Sequence, residues 1–573
     1  MVFQKVSKCY LPLLAVLALD AIVLITVVAL RNAHPPGHDE LNALETGLRM
    51  LGSRGNPETF IHGSFFYDLM ALLHGVTYLI AGLTSHGWSV SDYLGTYLEY
   101  RETFLLAGRV VVLGFAFLLI GVVYRLAHVL YGERAGLLAI IILSFGPLLP
   151  LTGTALKEDL PASAFAVSSV LVLCDSAIRV RPSVRWGLAG VLCGAGVATK
   201  YTIVLLTILP VVLAFGLGIL TNWRLVIAYA TCTMATFLLF EPYLVLDFTR
   251  AQESFWTITG VHFASGTLRP VASLYIQSYF PLGLGILLAL VTVVAAARIV
   301  LYEGDVRLKA IVVSCIVTAA VLMSSTSGML RYVITLGPLI SVFVAGEVMR
   351  WNARWFSNGF AVVAVAILLT WPANLIAVKL IALLARPDTR VVAQEWIEAH
   401  VPTGSRVLLE GTISGEPSYA PAIVPSAQWF QARQDHARMA GTSGRLLEAA
   451  AVRAATSSRP RYDILNTAVE GVSALEKVDY VVLSDYHALP MEFCRDVRRG
   501  DPHIERELSS RATAIHLLEK DFVQVFSIEP VPDLRFDWFD TPDFLRLWEA
   551  SFSNYEKWMV GPVITVYRRA VTA

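Results

Sequence analysis

Between Leu11 and Leu30 the chain reads LPLLAVLALDAIVLITVVAL, twenty residues interrupted by one charge, Asp20. A run of that length crosses the hydrocarbon core of a bilayer as a helix, because helical backbone satisfies its own hydrogen bonds where no water can. It follows Lys5 and Lys8, as the apolar part of a signal peptide would, but it is long for such a segment and is expected to stay as a first span. Further apolar stretches at roughly 107–127, 134–151, 160–178, 184–199, 201–221, 225–245, 273–297, 308–326, 332–349 and 358–384 bring the expectation to about eleven spans. Composition agrees: the 573 residues are 55% hydrophobic and 16% charged, with mean hydropathy +0.60, far too apolar for a soluble chain. The expected fold is a polytopic α-helical membrane protein.

Where the charges fall orients the spans. The segments YRLAHVLYGER, RVRPSVR, NWR, RIVLYEGDVRLK and RWNAR carry the Arg and Lys, and with the spans alternating as given they share the side of Lys5 and Lys8, the cytoplasmic side by the positive-inside rule. The run SFFYDLMALLHGVTYLIAGL at 64–83 is also long enough to cross. Counting it would invert every later basic loop, so it is expected to lie in the interface with Asp68 and His74 on a wet face. Formal net charge is zero, and no basic tract marks a nucleic-acid partner. Cys9, Cys174, Cys193, Cys232, Cys315 and Cys494 are scattered without metal-type spacing, which predicts neither a disulfide framework nor a zinc site.

After about residue 386 the composition changes. RPDTRVVAQEWIEAHVPTGSRVLLEG reads as an amphipathic helix, a turn and a strand, and VDYVVLSDY and PVITVYRR read as short strands. The expected domains are a membrane unit over 1–385 and a soluble α/β unit over 386–573, the latter on the outer face because the span count is odd. Two acidic pairs reach that same face: Asp39–Glu40 in HPPGHDE after the first span, and Glu158–Asp159 in TALKEDLPA. Spacing alone allows a plain reading, in which wet loops carry charge or Asp159 caps the next helix with Pro161 in its first turn.

The order of HPPGHDE, NPETFIHGSFFYDLMALL, the stretch from AGRVVVLG to KEDLPASAF, and GLAGVLCGAGVATKYTIVLLTILP resembles the GT-C superfamily of polytopic glycosyltransferases over residues 31 to 215. Within it the chain is similar to the branch of protein O-mannosyltransferases and lipid A aminoarabinose transferases; SGMLRYVITLGPLI and VVAQEWIEAHVPTGSRVLLEG echo later segments. The aminoarabinose enzymes carry a KPP-like element after the first loop, where this chain has HGSFFYD. The resemblance implies transfer of a sugar from a polyprenyl-phosphate-linked donor to a lipid, glycan or protein acceptor on the outer face, with inversion at the anomeric carbon. An acceptor hydroxyl must lose a proton as it attacks, and a carboxylate within reach takes it. Asp39 matches the family's first-loop acid and is the expected base, with Glu40 as its neighbour in a supporting or, alternatively, the catalytic role.

A departing lipid phosphate calls for positive charge at the interface. Lys200 in ATKYT and Arg331 in MLRYV are the expected phosphate ligands, each with the alternative of being an interface anchor. Glu158 and Asp159 are expected to orient the acceptor, hold Lys200, or bind a divalent ion together with Asp39; His62, like His38, flanks the first loop as a ligand contact or a solvated side chain. Trp256, His262 and Arg269 follow EPYLVLDF in an outer loop suited to lining a lipid or acceptor groove. A lipid or sugar transporter and a non-catalytic sensor of lipid-linked sugars are the alternatives. Against transport, the acidic pairs fall in loops and no inverted repeat shows in the sequence.

Overall fold

The computed structural model describes residues 2–32, 34–35, 38–58, 60, 62–84, 89–207, 223–263, 272, 276, 280–324, 330–351, 359–371, 373–409, 421–430, 442–466, 472–484, 516, 518–528 and 563–570. The first half is a succession of helices: α1 (Val2–Asn32), α2 (His38–Gly52), α3 (Ser64–Thr84), α4 (Val90–Glu99), α5 (Arg101–Tyr131), α6 (Glu133–Phe145), α7 (Leu148–Thr152), α8 (Asp159–Cys174), α9 (Pro182–Thr199), α10 (Trp223–Phe240), α11 (Tyr243–Leu246) and α12 (Phe248–Phe263). Then come α13 (Ile286–Tyr302), α14 (Val306–Ser324), α15 (Gly337–Trp351), α16 (Gly359–Leu369) and α17 (Ala373–Leu383).

The organising element is α5, whose 31 residues extend about 46 Å. Its buried positions Leu105, Arg109, Val112, Ala116, Leu119, Val123 and Leu126 recur at alternating spacings of four and three, the pattern that keeps one helical stripe facing inward. That stripe meets α1, α6, α8 and α15, while Val110 and Leu118 point outward. Helices α9 and α10 approach more closely. A Cβ added at Gly190 or Gly194 would run into the carbonyls of Tyr229 and Thr233, so this i, i+4 glycine pair is what lets the two backbones meet.

Five helices among the described residues are long and apolar enough to cross a membrane: the α1 window Ala15–Asn32, Ser64–Leu83, Arg101–Tyr131, Trp223–Phe240 and Val306–Ser324. Counting α16 and α17, bent by 85°, as one span makes six. The chain is an integral membrane protein. Several of the other expected spans are shorter helices, for a local reason: Gly146–Pro147 separates α6 from α7, and Gly337–Pro338 starts α15 afresh after a 3-10 turn over 330–335. Most of the run at 201–221 lies outside the described residues.

In the segment at 64–83 the wet face expected at His74 is not found. Its outward side chains are Leu72, Val76, Leu79, Ile80 and Leu83, an apolar face, whereas His74 is fully buried. The His74 ring bridges α2 and α4, with Nε2 donating to the Leu44 carbonyl at 3.1 Å and Nδ1 2.9 Å from the Tyr93 hydroxyl, and it stacks on Phe104. The polar residue taken for a wet face joins helices instead.

The two ends of the bundle differ in charge. At the C-terminal ends of α5, α8, α13 and α15, Arg125 pairs with Asp175 at 2.8 Å, Arg350 with Glu303 and Glu347, and Arg298 with Glu347. Arg307 donates to the Cys174 carbonyl at 3.3 Å, and Arg350 lies over the Tyr131 ring. Arg125, Arg298, Arg307 and Arg350, from three of the basic segments expected on one side, therefore gather at one end. The acidic segments gather at the other.

Beyond α17 come α18 (Thr389–His400), α19 (Thr442–Thr456) and six strands: β1 (Arg406–Leu409), β2 (Val424–Pro425), β3 (Arg461–Asn466), β4 (Tyr480–Ser484), β5 (Phe522–Ile528) and β6 (Ile564–Arg569). They form one sheet in the order β2-β3-β1-β4-β6-β5, parallel from β2 to β4 and antiparallel at β6 and β5. Alternation along β1 sends Val407 and Leu409 toward Ala393 and Ile397 of α18, and Leu408 toward Val478, Val481 and Phe522 on the other face. Apolar cover on both faces is what a largely parallel sheet requires. The helix and the β1, β4 and β6 strands fall where the sequence pattern puts them. In contrast, α19 packs away from this sheet, against α4 and α2.

Candidate functional site

At the acidic end, α1 stops at Asn32 and α2 starts at His38, so the HDE triplet forms the first turn of α2. Carboxylates suit a helix N-terminus, where unpaired N–H groups concentrate positive potential. Glu40 is the third residue, and its side chain is 4% exposed. Arg109 of α5 grips it with both arms of the guanidinium, Nε to Oε1 at 2.9 Å and Nη2 to Oε2 at 2.8 Å. The same arginine donates from Nη1 to Asn32 Oδ1 at 3.2 Å, and the Leu156 N–H donates to Glu40 Oε1 at 3.0 Å. Burial alone would push the Glu40 carboxyl upward. The Arg109 charge and hydrogen bonds, the nearby Arg31 and the Leu156 N–H outweigh it and hold Glu40 well below the usual carboxylate range. Glu40 thus ties three segments together: the start of α2, the stripe of α5 and the loop before α8.

That loop carries the second acidic pair. Glu158 is the N-cap of α8 but makes no side-chain cap bond, and Asp159 is the first helical residue, so the capping explanation for Asp159 does not hold. Both carboxylates turn to Lys200, the C-cap of α9, whose Nζ donates to Glu158 Oε1 at 3.2 Å and to Asp159 Oδ1. All three are buried. His62 Nδ1 lies 3.4 Å from Glu158 Oε1. Asp159 Oδ2 is buried without a hydrogen-bond partner among the described residues.

His62 is held by its surroundings. A Cβ on Gly63 would collide with the Ala198 carbonyl, so the chain lies directly against the end of α9. Ser64 then starts α3 with its N–H and its hydroxyl both donating to Glu241, which is fully buried just beyond α10. Tyr243 donates to the Arg54 carbonyl at 2.6 Å, and Asn56 to Asp247 at 3.2 Å. The segment 54–64 is thereby fastened to the segment 241–247.

The structure brings His62, Glu158, Asp159 and Lys200 into one cluster and links Glu40 to the same loop. Asp39 is the second residue of α2, and Arg331 belongs to the 3-10 turn over 330–335, which packs against α8; the side chains of both lie outside the described residues, as does that of His38. Trp256 is exposed on α12, His262 is placed only by its helix backbone, and Arg269 lies outside the described residues. Among the described residues no three His, Cys, Asp or Glu side chains are set to hold a metal ion. Between Glu158 and Asp159, where a cation would be drawn, the Lys200 ammonium already stands.

Sequence reasoning did not single out Arg109, Glu241, His34, Asp388 or Arg390. Arg109 offered the clearest signal, as the one charge in the apolar run from Val110 back to Leu105 and on to Ile120, where an unpaired guanidinium would be costly. Asp388 is the N-cap of α18. Burial pushes its carboxyl up, but Arg390 and His34 together bring it down to about 2.

Residues 104–246 match the family model described as dolichyl-phosphate-mannose-protein mannosyltransferase, about a quarter of the chain. No curated protein matches by sequence. Among solved structures, ArnT from Cupriavidus metallidurans bound to undecaprenyl phosphate is 15% identical, with 77% of this chain and 74% of that chain covered and a TM-score of 0.42. The apo oligosaccharyltransferase of Archaeoglobus fulgidus is 13% identical, covering 98% of this chain and 89% of that one at a TM-score of 0.45. The family match falls on α5 to α11 and overlaps the stretch whose motifs resemble GT-C enzymes, and the chain is similar to the protein O-mannosyltransferase branch of that superfamily.

Proposed function

We propose that this protein is an inverting glycosyltransferase that moves a sugar from a polyprenyl-phosphate-linked donor to a lipid, glycan or protein acceptor at the outer face of the membrane. The observation that carries this reading is the bond from the Leu156 N–H to Glu40, which draws the first and second acidic segments to one end of the bundle. The family match over 104–246, whose description names a dolichyl-phosphate-linked sugar, supports the class of donor. In this reading about eleven spans form the membrane unit over 1–385, and the sheet-bearing unit over 386–573 lies outside with the acidic segments.

The two first-loop acids then divide the work. Glu40 has both oxygens engaged by Arg109 and Leu156, so it serves as an anchor. Asp39 is the base: it takes the proton of the acceptor hydroxyl while that oxygen bonds to the anomeric carbon. The bond from the anomeric carbon to the phosphate oxygen breaks, and polyprenyl phosphate leaves with the electron pair. Arg331 is assigned to that phosphate, where a planar guanidinium gives two-point contact. Lys200 sits between two carboxylates and is too nearly neutralised to serve as the main phosphate ligand; it fixes Glu158 and Asp159, which with His62 orient the acceptor.

Purified protein given polyprenyl-phosphate mannose as donor tests the assignment. Asp39→Asn should lose transfer by about 10²–10⁴-fold, the usual worth of a positioned base. An Asp39→Asn protein that keeps half of wild-type turnover would remove Asp39 as base. Mass spectrometry of the lipid-linked sugars that accumulate when the gene is deleted would identify the natural donor, and unchanged glycan with an altered lipid distribution would favour transport instead.

A further inference from the structure

Asp39 stands between two fixed points. On its C-terminal side Glu40 is gripped by Arg109. On its N-terminal side the grip comes from the far end of the sequence. Arg390 Nη2 donates to the Pro35 carbonyl at 3.1 Å, and His34 Nε2 donates to the Leu384 carbonyl at 2.7 Å. His34 Nδ1 faces Asp388 Oδ2 at 3.7 Å, with both side chains buried.

Arg390 is itself held in place. Asp388, as N-cap of α18, needs only to accept the Arg390 N–H, which it does at 2.8 Å. It also accepts Arg390 Nε on Oδ1 at 2.9 Å and Nη2 on Oδ2 at 2.7 Å. The guanidinium is folded back on its own cap, and the Nη2 that is fixed in this way is the one that reaches Pro35. A cap alone would not need this arrangement. It costs an arginine much of its rotamer freedom, and the gain is a rigid donor aimed at the loop between α1 and α2.

The geometry points to a clamp: Asp388 and Arg390, at the start of the sheet-bearing unit, are positioning residues that hold the backbone at 34–35 and so set where the HDE turn of α2 stands relative to α5. The role in transfer rests on the glycosyltransferase reading given above. A chain cut at 386 would lose the clamp together with the sheet.

The test uses the full-length protein in two measurements. In a background with its six native cysteines replaced, His38→Cys reports on the loop through its rate of maleimide labelling. Arg390→Ala should raise that rate about tenfold, since the α1–α2 connection loses its anchor at Pro35. In the otherwise unaltered protein, Arg390→Ala should lower kcat with polyprenyl-phosphate mannose on the order of a hundredfold while leaving the donor KM near its original value, the pattern of a misplaced group and not of lost binding. Asp388→Asn keeps a capping oxygen and serves as the milder variant, with smaller changes in the same direction. Arg390→Lys should not rescue, because an ammonium cannot span both Asp388 oxygens and the carbonyl. Arg459→Ala, which breaks a bond to Glu398 further along α18, should change neither measurement.

Unchanged labelling in a folded Arg390→Ala protein would overturn the clamp. Faster labelling with unchanged kcat would overturn its role in positioning. Equal acceleration by Arg459→Ala would reduce the effect to general loosening of α18 and overturn the proposal as well. A parent protein without transfer activity would sink the glycosyltransferase reading, while the labelling rates would still decide the clamp.

Discussion

Replacing either member of the Arg109–Glu40 pair should destabilise the protein far more than replacing both. The guanidinium side chain is 1% exposed and the carboxylate 4%, and the pair is joined by two hydrogen bonds under 3 Å. An exposed pair of this kind contributes about 0–1 kcal/mol, but removing one partner of a buried pair strands the other charge and costs about 3–5 kcal/mol. Arg109→Met leaves Glu40 without its two-point partner, with contacts that include the Leu156 N–H and the more distant Arg31, and Glu40→Leu leaves Arg109 with a contact to Asn32 Oδ1. Neither remainder balances a full charge. Each single variant is therefore placed at about 3–5 kcal/mol, and the double variant below either, so the coupling energy exceeds the larger single loss. Unfolding in mixed micelles of increasing SDS fraction, followed by tryptophan fluorescence, measures all four corners of the cycle. Because the folded pKa of Glu40 is depressed, its contribution is complete above the ordinary carboxylate range and is lost only as pH falls through the folded value, so the cycle is best run near pH 7. Single variants costing under about 1 kcal/mol, or losses that add to within about 0.5 kcal/mol, would refute the reading of Glu40 as an anchor.

Lys200→Met should cost about 3–5 kcal/mol by leaving Glu158 and Asp159 buried side by side, and Asp159→Asn added to it should recover part of that loss; a simple sum in SDS unfolding would deny the cluster. Asp388, lowered from 3.8 to about 2, contributes on the order of 2 kcal/mol that is fully present above about pH 5 and lost as pH falls from near 4 toward 2. The gap in thermal midpoint between wild type and Asp388→Asn should accordingly close over that window, and a gap unchanged at pH 2 would contradict it. For topology, Arg54→Cys should label from outside in intact cells and Tyr302→Cys only after permeabilisation, both positions being exposed at opposite ends of the bundle. The reverse pattern would place the acidic end inside.

Local order was legible in the sequence and long-range pairing was not. Apolar runs located α1, α5, α10 and α14, and β-branched strings located β1, β4 and β6, because both signals repeat over a few residues along the chain. Charge bias placed the two acidic segments at a common end, which the Glu40–Leu156 bond bears out. His74 shows where such reasoning stops. A histidine on an apolar helix reads as a wet face by periodicity, yet its partners are Leu44 and Tyr93, on two other helices. Arg109 announces a need for an anion without saying which, and Glu40 lies 69 residues away. Likewise Glu241 meets Ser64 across 177 positions. No local pattern encodes those separations.

Among the described residues the ion pairs at the two ends of the bundle stand under different physical conditions, and this difference bears on function. At the basic end the arginines are partly exposed, with Arg125 and Arg298 at 42%, so water reaches one member of each pair although the partners Asp175 and Glu347 are buried. At the acidic end Glu40, Arg109, Glu158, Asp159 and Lys200 are all buried, and each is held by groups from a different segment. A charge in low dielectric interacts strongly with anything that reaches it, but only a fixed one contributes to a transition state without first reorganising. The network at the acidic end provides that fixity. Arg109 and Lys200 neutralise these carboxylates; on the glycosyltransferase reading proposed above, proton transfer falls to the first turn of α2, where the contacts at Glu40 and Pro35 limit the backbone from both sides.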